Sequence, residues 1–311
     1  MGKIVYSIVV PAYNEEECLP LFFEKVIPIF EKLDEDFEII VVNDGSKDKT
    51  EEIIKNVCSK DKRVKGISFS RNFGQQAAFL AGLKEARGEA VIAMDADLQD
   101  PPEVALLMIE KWKEGYDIVH GRRKSRQKES IFKKLTARMY YKFLHRISYA
   151  KVPENVGDFK LYSRNAVDAI LSLPEHDRLL RAQAAWVGFK QTFIDFDRPA
   201  REVGETKYTL KKMVKLASDG IISNSDYPLT LSLKWGLFLG FCSLAAFITF
   251  IVLAANGIIS GLLPWLFPTV TTLFAINSVL KGLTDIYTSR IYNEVKNRPV
   301  YVVKEKYNSE K

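Results

Sequence analysis

Over the first 120 residues, short apolar runs alternate with stretches whose apolar residues recur at helical spacing. The runs are 6–13 (YSIVVPAY), 37–44 (FEIIVVND), 64–71 (VKGISFSR), 89–97 (EAVIAMDAD) and 116–123 (YDIVHGRR). Between them the spacing predicts helices over Leu19–Leu33, Asp48–Ser59, Gln75–Ala86 and Pro102–Lys113. Such alternation specifies an α/β domain, a mostly parallel sheet covered by helices. Parallel neighbours need crossover helices, and the central strands are then buried on both faces. Ligands of open sheets of this kind bind at the carboxyl ends of the strands. Pro11, Tyr13, Asn14 and Glu15 fall there after the first run, Asn43, Asp44, Gly45 and Ser46 after the second, and Asp95 and Asp97 after the fourth.

The usual phosphate cradles are missing. No GxGxxG follows the first strand and no GxxxxGK[ST] occurs anywhere. A nucleotide held by this sheet therefore needs a metal ion and basic side chains for its phosphates. Asp95, Asp97 and Asp100 stand within six residues. Carboxylates at i and i+2 of a strand share a side of the backbone and repel unless a cation lies between. Hard cations such as Mg²⁺ or Mn²⁺ bridge one or two carboxylates to substrate phosphates, so Asp95 and Asp97 are the candidate metal ligands. The competing account, acids at the start of the helix near Pro101, suits Asp100.

Two segments carry no charge: 21 residues from Trp235 to Ala255 and 23 from Ile258 to Leu280. Each is long enough to span the roughly 30 Å hydrocarbon core as a helix; buried core helices are the alternative. Lys207, Lys211, Lys212, Lys215 and Lys234 precede the first, and Lys281, Arg290, Lys296 and Arg298 follow the second. By the positive-inside rule both flanks are cytoplasmic and the short link faces out. The formal charge of +6 fits a surface beside anionic lipid or lipid phosphate, and no nucleic-acid module is present. Cys18, Cys58 and Cys242 show neither disulfide nor zinc spacing. Phe132–Ile147 is amphipathic and basic, as is a helix lying on a membrane surface, although a core helix has the same pattern.

Five segments in order, SIVVPAYNEE, VVNDGSKDKT, SRNFGQQAAFLAGLKEARGEAVIAMDADLQDPPE, VGDFKLYSR and REVGETKY, resemble family 2 glycosyltransferases of the GT-A fold. The likeness is to the polyprenyl-phosphate glycosyltransferases, which include bactoprenol glucosyltransferases and dolichol-phosphate mannose synthase. It covers nearly the whole chain. Asn43 departs from the pattern, where the family commonly has a second Asp before Asp44. The resemblance implies a GT-A (Rossmann-like) domain over 1–228, with 130–147 as an interfacial helix, a two-helix transmembrane hairpin over 229–284 and a cytoplasmic tail over 285–311.

By the same resemblance, Pro11, Tyr13, Glu15 and Asp44 hold the nucleoside of a nucleotide sugar, with Asp44 accepting hydrogen bonds from the base. Asp95 contacts ribose or sugar, Asp97 holds Mg²⁺ or Mn²⁺ on the diphosphate, and Gln99 lies beside the sugar. Packing accounts for Tyr13 and a helix-start role for Glu15 equally well. Arg122, Arg126, Arg201 and Lys207 are candidates for gripping donor or acceptor phosphates, against a solvated run for Arg122 to Arg126. Asp158 orients the acceptor phosphate or sugar, or else serves a turn.

The implied reaction moves a hexose, with UDP-glucose the expected donor, to polyprenyl (undecaprenyl) phosphate at the cytoplasmic face of the plasma membrane, with inversion. Mannose, galactose or an aminopentose as the sugar, and a nucleotide-sugar-binding membrane protein without turnover, are the alternatives. A homo-oligomer is left open. Processive polysaccharide synthases are set aside because their QxxRW motif is missing.

Overall fold

Seven residues from Tyr6 to Ala12 form strand β1, and all seven are buried. This is what a central parallel strand requires, because its two faces meet two helical layers. The structure is a computed structural model describing residues 4–124, 156–175, 179–197 and 263–308, with isolated positions between 234 and 257. By contact the chain divides into two units, Met1–Met213 with Pro299–Lys311, and Val214–Arg298.

In the first unit the described elements after β1 are α1 (Cys18–Phe30), β2 (Phe37–Asn43), α2 (Thr50–Lys60), β3 (Val64–Phe69), α3 (Gln75–Glu85), β4 (Ala90–Ala93) and α4 (Pro102–Lys113). There follow β5 (Ile118–Arg123), β6 (Val156–Ser163), α5 (Arg164–Ser172), α6 (Leu180–Trp186), β7 (Gln191–Phe196) and, at the far end of the chain, β8 (Val303–Tyr307). The strands form one sheet in the order β7-β5-β6-β4-β1-β2-β3-β8. The β3, β2, β1 and β4 neighbours are parallel, as are β5 and β7, while β6 runs antiparallel between β4 and β5. The expected α/β class is the one observed.

Alternation along the strands sorts the core into two layers. Ile8, Val10, Ile39 and Val41 join Phe22, Val26 and Met108 of α1 and α4 on one side. Val9, Ile40 and Val42 join Phe79 and Leu83 of α3 and Val167 and Ile170 of α5 on the other. Each fully buried side chain of this size contributes about 1.5–3 kcal/mol. Helix α3 lies so close to β1 that a Cβ on Gly82 would come 2.2 Å from Val9 Cγ1.

The strand β8 falls in what the sequence suggests is a tail. It pairs antiparallel with β3, Gly66 opposite Tyr307, and is pinned by Lys304 Nζ to Glu51 (3.1 Å) and by Asn308 Nδ2 donating to the Val64 carbonyl (2.9 Å). Its lysines also guard an open sheet edge against further pairing.

The second unit contains the 34-residue helix α7 (Leu263–Lys296). Most of the first uncharged segment, and 258–262 of the second, lie outside the described residues. Among the described residues no helix is long and apolar enough to cross a membrane. The segment Phe132–Ile147 also lies outside them.

Candidate active site

Two loops interlock at the carboxyl ends of β1 and β2. Asn14, in the left-handed region at φ 55°, donates its amide N–H to Ser46 Oγ (3.0 Å) and accepts at Oδ1 from Lys47 N (2.9 Å). Asparagine is among the few residues that tolerate this conformation. Glu15 donates its N–H to Thr50 Oγ1 (2.9 Å). Asn43 Oδ1 accepts from Ser46 N (3.0 Å) and its Nδ2 donates to Ser68 Oγ (3.2 Å), so an amide at this position ties the loop after β2 to β3. Gly45 has φ 66°, and a Cβ there would come 2.3 Å from the Arg71 backbone carbon; only glycine fits.

Segment 73–76 reaches the carboxylates of three strands at once. Asp44, 3% exposed, accepts from Phe73 N (2.6 Å) and Gly74 N (2.9 Å). Gln75 Nε2 donates to Asp95 Oδ1 (2.7 Å). Gln76 Nε2 donates to Asp158 Oδ2 (3.2 Å), and Gln76 Oε1 accepts from Leu180 N (3.0 Å), tying the start of α6 to the same point. These groups surround the amino end of α3, where the helix dipole favours negative charge. Burial nevertheless pushes the Asp44 carboxyl up, with the two amide donors acting against it.

The strand β4 ends at Ala93, not at Asp97, so Asp95 and Asp97 meet the site from a loop and not from strand alternation. Asp95 N donates to Asp100 Oδ2 (3.2 Å) and Gln99 N to Asp97 Oδ1 (3.1 Å). Leu98 between them is left-handed at φ 56°, a strain of about 1–3 kcal/mol for such a residue. Asp100 thus closes the acidic loop, just ahead of α4, whose N-cap is Pro101.

The result is a crowd of like charges. Burial, then Asp100, Asp158 and Asp97, hold the Asp95 carboxyl well above its usual range, with Arg123 opposing them. Asp158 lies on the opposite side of the balance. Burial would raise its carboxyl, but Arg181, Lys160 and Gln76 together keep it below the ordinary value, with Arg181 Nη2 3.0 Å and Nε 3.3 Å from its oxygens. Burial also pushes the Cys18 thiol up to about 12, helped by Glu15 and Asp97.

For a divalent cation the donor chemistry fits. Among the described residues no three carboxylate, imidazole or thiolate side chains form a closed cage. An Mg²⁺ or Mn²⁺ shared with a substrate diphosphate needs only one or two carboxylates from the protein. Asp97 and Asp95 are the oxygen donors at hand, and Asp95 is the one burdened by neighbouring charge.

Residues 7–171 match the family model for glycosyl transferase family 2. The chain belongs to that family. It is a glycosyltransferase. The glycosyltransferase YkcC of Bacillus subtilis is 43% identical over 311 residues, 99% of this chain and 95% of the relative. The SfII prophage-derived bactoprenol glucosyl transferase of Shigella flexneri is 39% identical over 303 residues, 97% of this chain and 98% of the other. Among solved structures, glucosyl-3-phosphoglycerate synthase from Mycobacterium tuberculosis with Mn²⁺ and UDP-glucose aligns at TM-score 0.47 and 20% identity, over 69% of this chain and 76% of that one. At that distance nothing about its ligands transfers.

For this family 2 member, the fold gathers Glu15, Asp44, Asp95, Asp97, Asp158 and the buried Gln99 around the strand ends. Pro11, next to last in β1, is buried, and Tyr13, just past the strand end, is 36% exposed. Arg122 points elsewhere: its guanidinium forks onto Asp195 (Nε 2.5 Å, Nη2 2.9 Å) and lies over the Phe193 ring. The next residue, Arg123, is the cation felt by Asp95, and its Nη2 would meet a Cβ on Gly157 at 2.8 Å. Arg126, Arg201 and Lys207 lie outside the described residues. The sequence reading missed Gln75, Gln76, Arg123 and Arg181. A glycine followed by two amides at a helix start, Gly74-Gln75-Gln76, was the available signal.

Proposed function

We propose that the protein transfers one hexose, from UDP-glucose, to polyprenyl phosphate at the cytoplasmic face of a membrane. The observation that carries this reading is the carboxylate cluster at the strand ends of a sheet that lacks a glycine-rich phosphate loop. The acceptor class follows from the bactoprenol glucosyl transferases, which match over nearly their whole length. Asp44, Tyr13, Pro11 and Glu15 line the nucleoside end; Asp95 and Gln99 face ribose and sugar. Asp97, with Asp95, would hold Mg²⁺ or Mn²⁺, whose chemistry when bound is to neutralise the departing diphosphate.

The acceptor phosphate is already an anion near neutral pH, so its oxygen needs no strong base to attack the anomeric carbon. Asp158, kept ionised by Arg181 and Lys160, is fixed as an acceptor of hydrogen bonds and orients the incoming group. With no enzyme carboxylate attacking first, a single displacement inverts the anomeric centre. Arg201 and Lys207 are assigned to the approaching phosphates. Losing either one should lower kcat by about 2–4 kcal/mol of transition-state stabilisation. Turnover of Arg201→Ala and Lys207→Ala in detergent at saturating substrates checks this; near wild-type rates for both would sink the clamp.

The pairing of β8 with β3 supports the membrane topology. Strands from both sides of the uncharged segments share one sheet, so the chain between them crosses a membrane an even number of times. Single cysteines near residue 258 should react from outside the cell and those near residue 300 only from inside. External labelling near 300 would overturn the hairpin. The activity itself is tested by incubating membranes with labelled UDP-glucose, GDP-mannose and UDP-galactose, with undecaprenyl phosphate and Mn²⁺ or EDTA. Label should enter the lipid from UDP-glucose and vanish with EDTA. No labelled lipid from any donor would refute the reading.

A further inference from the structure

Lys160 sits in the middle of β6 with 0% exposure, and its Nζ has no hydrogen-bond partner among the described residues. A buried ammonium without a partner is costly, and one that persists usually serves a site. Strand register says which. Lys160 lies opposite Ala93 of β4 and His120 of β5. Directly paired residues of antiparallel strands project to the same face with Cβ atoms about 4.5–5.5 Å apart. Asp158, two residues earlier on β6, shares that face.

Both neighbours offer an open acceptor. Gln191 Nε2 donates to the Ala184 carbonyl (2.9 Å), which leaves Gln191 Oε1 to accept from His120 Nε2 (2.8 Å). The His120 proton is thereby fixed on Nε2, and Nδ1 keeps a bare lone pair. That Nδ1 is buried and has no partner among the described residues. Burial and Lys160 push the His120 ring down to about 4, so it is neutral near pH 7. On Asp158, Gln76 Nε2 and Arg181 Nη2 occupy Oδ2 while Arg181 Nε alone meets Oδ1. A carboxylate oxygen takes about two donors. One direction on Oδ1 is free of these donors and faces a second cation.

We propose that Lys160 is a positioning residue for glycosyl transfer, its buried charge set on one face of the sheet between His120 on the scaffold side and the Asp158 carboxylate on the substrate side. The hydrogen-bonded line Ala184–Gln191–His120 fixes the scaffold side. Arg181 and Gln76 hold Asp158 by hydrogen bonds, and Lys160 adds its charge from the same face of the sheet. The charged and titratable groups facing Lys160 are His120 on β5, Asp158 and Tyr162 on β6 and Arg181 on α6. Burial and Arg181 lower the Lys160 ammonium to about 7 and Asp158 opposes them, which agrees with Asp158 as its counter-ion.

The inference rests on Asp158 standing in the transfer site, and a double-mutant cycle separates the two ideas. Turnover of undecaprenyl phosphate with UDP-glucose and Mn²⁺ is measured in detergent for wild type, Lys160→Met, Lys160→Arg, Asp158→Asn and Lys160→Met/Asp158→Asn. Thermal unfolding checks each fold. Lys160→Met should lower kcat about tenfold or more while KM for UDP-glucose stays within about twofold. Lys160→Arg should recover part of the rate. The double variant should be no slower than Asp158→Asn alone, because the two residues act as one unit.

Multiplying losses, or wild-type kcat for folded Lys160→Met beside an impaired Asp158→Asn, would overturn the inference and leave the site reading standing. Wild-type kcat for Asp158→Asn would overturn both. If Lys160→Met does not fold, His120→Phe removes the Nδ1 acceptor and keeps the ring stacked on Phe193. It carries the same cycle, and additivity there is equally fatal.

Discussion

Carboxylates are buried at both ends of the sheet, and the two ends treat them differently. At the amino ends of β1, β2 and β3, Glu38 is 1% exposed. It is met by Lys65 Nζ at 2.6 Å, by Ser7 Oγ at 2.6 Å and by Arg87 N at 2.7 Å, while Gly88 N closes on Ser7 Oγ at 2.8 Å. Every neighbour there complements the charge. At the carboxyl ends, Asp95 faces Asp97, Asp100 and Asp158, with Arg123 in opposition. A complementary buried charge specifies structure; a crowd of like charges is an arrangement that a bound cation would relieve.

The largest effect that would sharpen this contrast is on catalysis. Asp97→Asn keeps the shape and the acceptor for Gln99 N but removes the charge. Transfer should fall by about a hundredfold to a thousandfold, the scale for losing one preorganised electrostatic group. Mn²⁺ should raise the melting temperature of wild type, a linkage effect of binding to the folded state, and leave that of the variant unchanged. Unchanged turnover across Mg²⁺ and Mn²⁺ titrations would refute the metal assignment.

The other end should show the opposite signature. Lys65→Met leaves the Glu38 carboxylate buried beside Ser7 without its cation, and breaking such a pair costs about 3–5 kcal/mol. Replacing both partners, Glu38→Met/Lys65→Met, should recover most of that loss. Urea unfolding measures it, and turnover per folded molecule should not change. A loss in Lys65→Met smaller than in Arg122→Ala, whose partner Asp195 is exposed, would mean the basal network is not structural.

How much of this was readable in advance follows the same division. Strands that bury both faces announce themselves as apolar runs, and β1, β2 and β3 lie where Ile, Val and Phe cluster. The loop bearing Asp95 and Asp97 was legible because acids end an apolar run there. Strand β6 was not: Asp158 and Lys160 interrupt its apolar pattern, and only in the fold does Asp158 meet its partner Arg181. Arg122 and Arg123 could not be told apart, since alternation says that neighbours face opposite ways without saying which way is inward, and β5 is irregular between His120 and Arg122. The strand β8, VKEKY, reads as a solvated tail because an edge strand exposes its charges and gains its order from β3.

The smallest expected effect is the most discriminating, because its sign separates the two ends. In wild type without metal, Asp95 carries the repulsion of three neighbouring acids, relieved in part by Arg123. Asp95→Asn removes that repulsion, and the amide oxygen can still accept from Gln75 Nε2, which sits 2.7 Å away in wild type. Its backbone N–H still reaches Asp100, so the loop geometry survives. The variant should therefore be more stable than wild type by about 1 kcal/mol in EDTA, as substitutions that relieve functional strain commonly are, while losing transfer. Saturating Mn²⁺ should narrow the difference, because a bound cation offsets the same repulsion in wild type alone. A later urea midpoint in EDTA checks it. An earlier midpoint would mean that Asp95, like Glu38, is held by complementary charge and that the acidic loop is part of the scaffold.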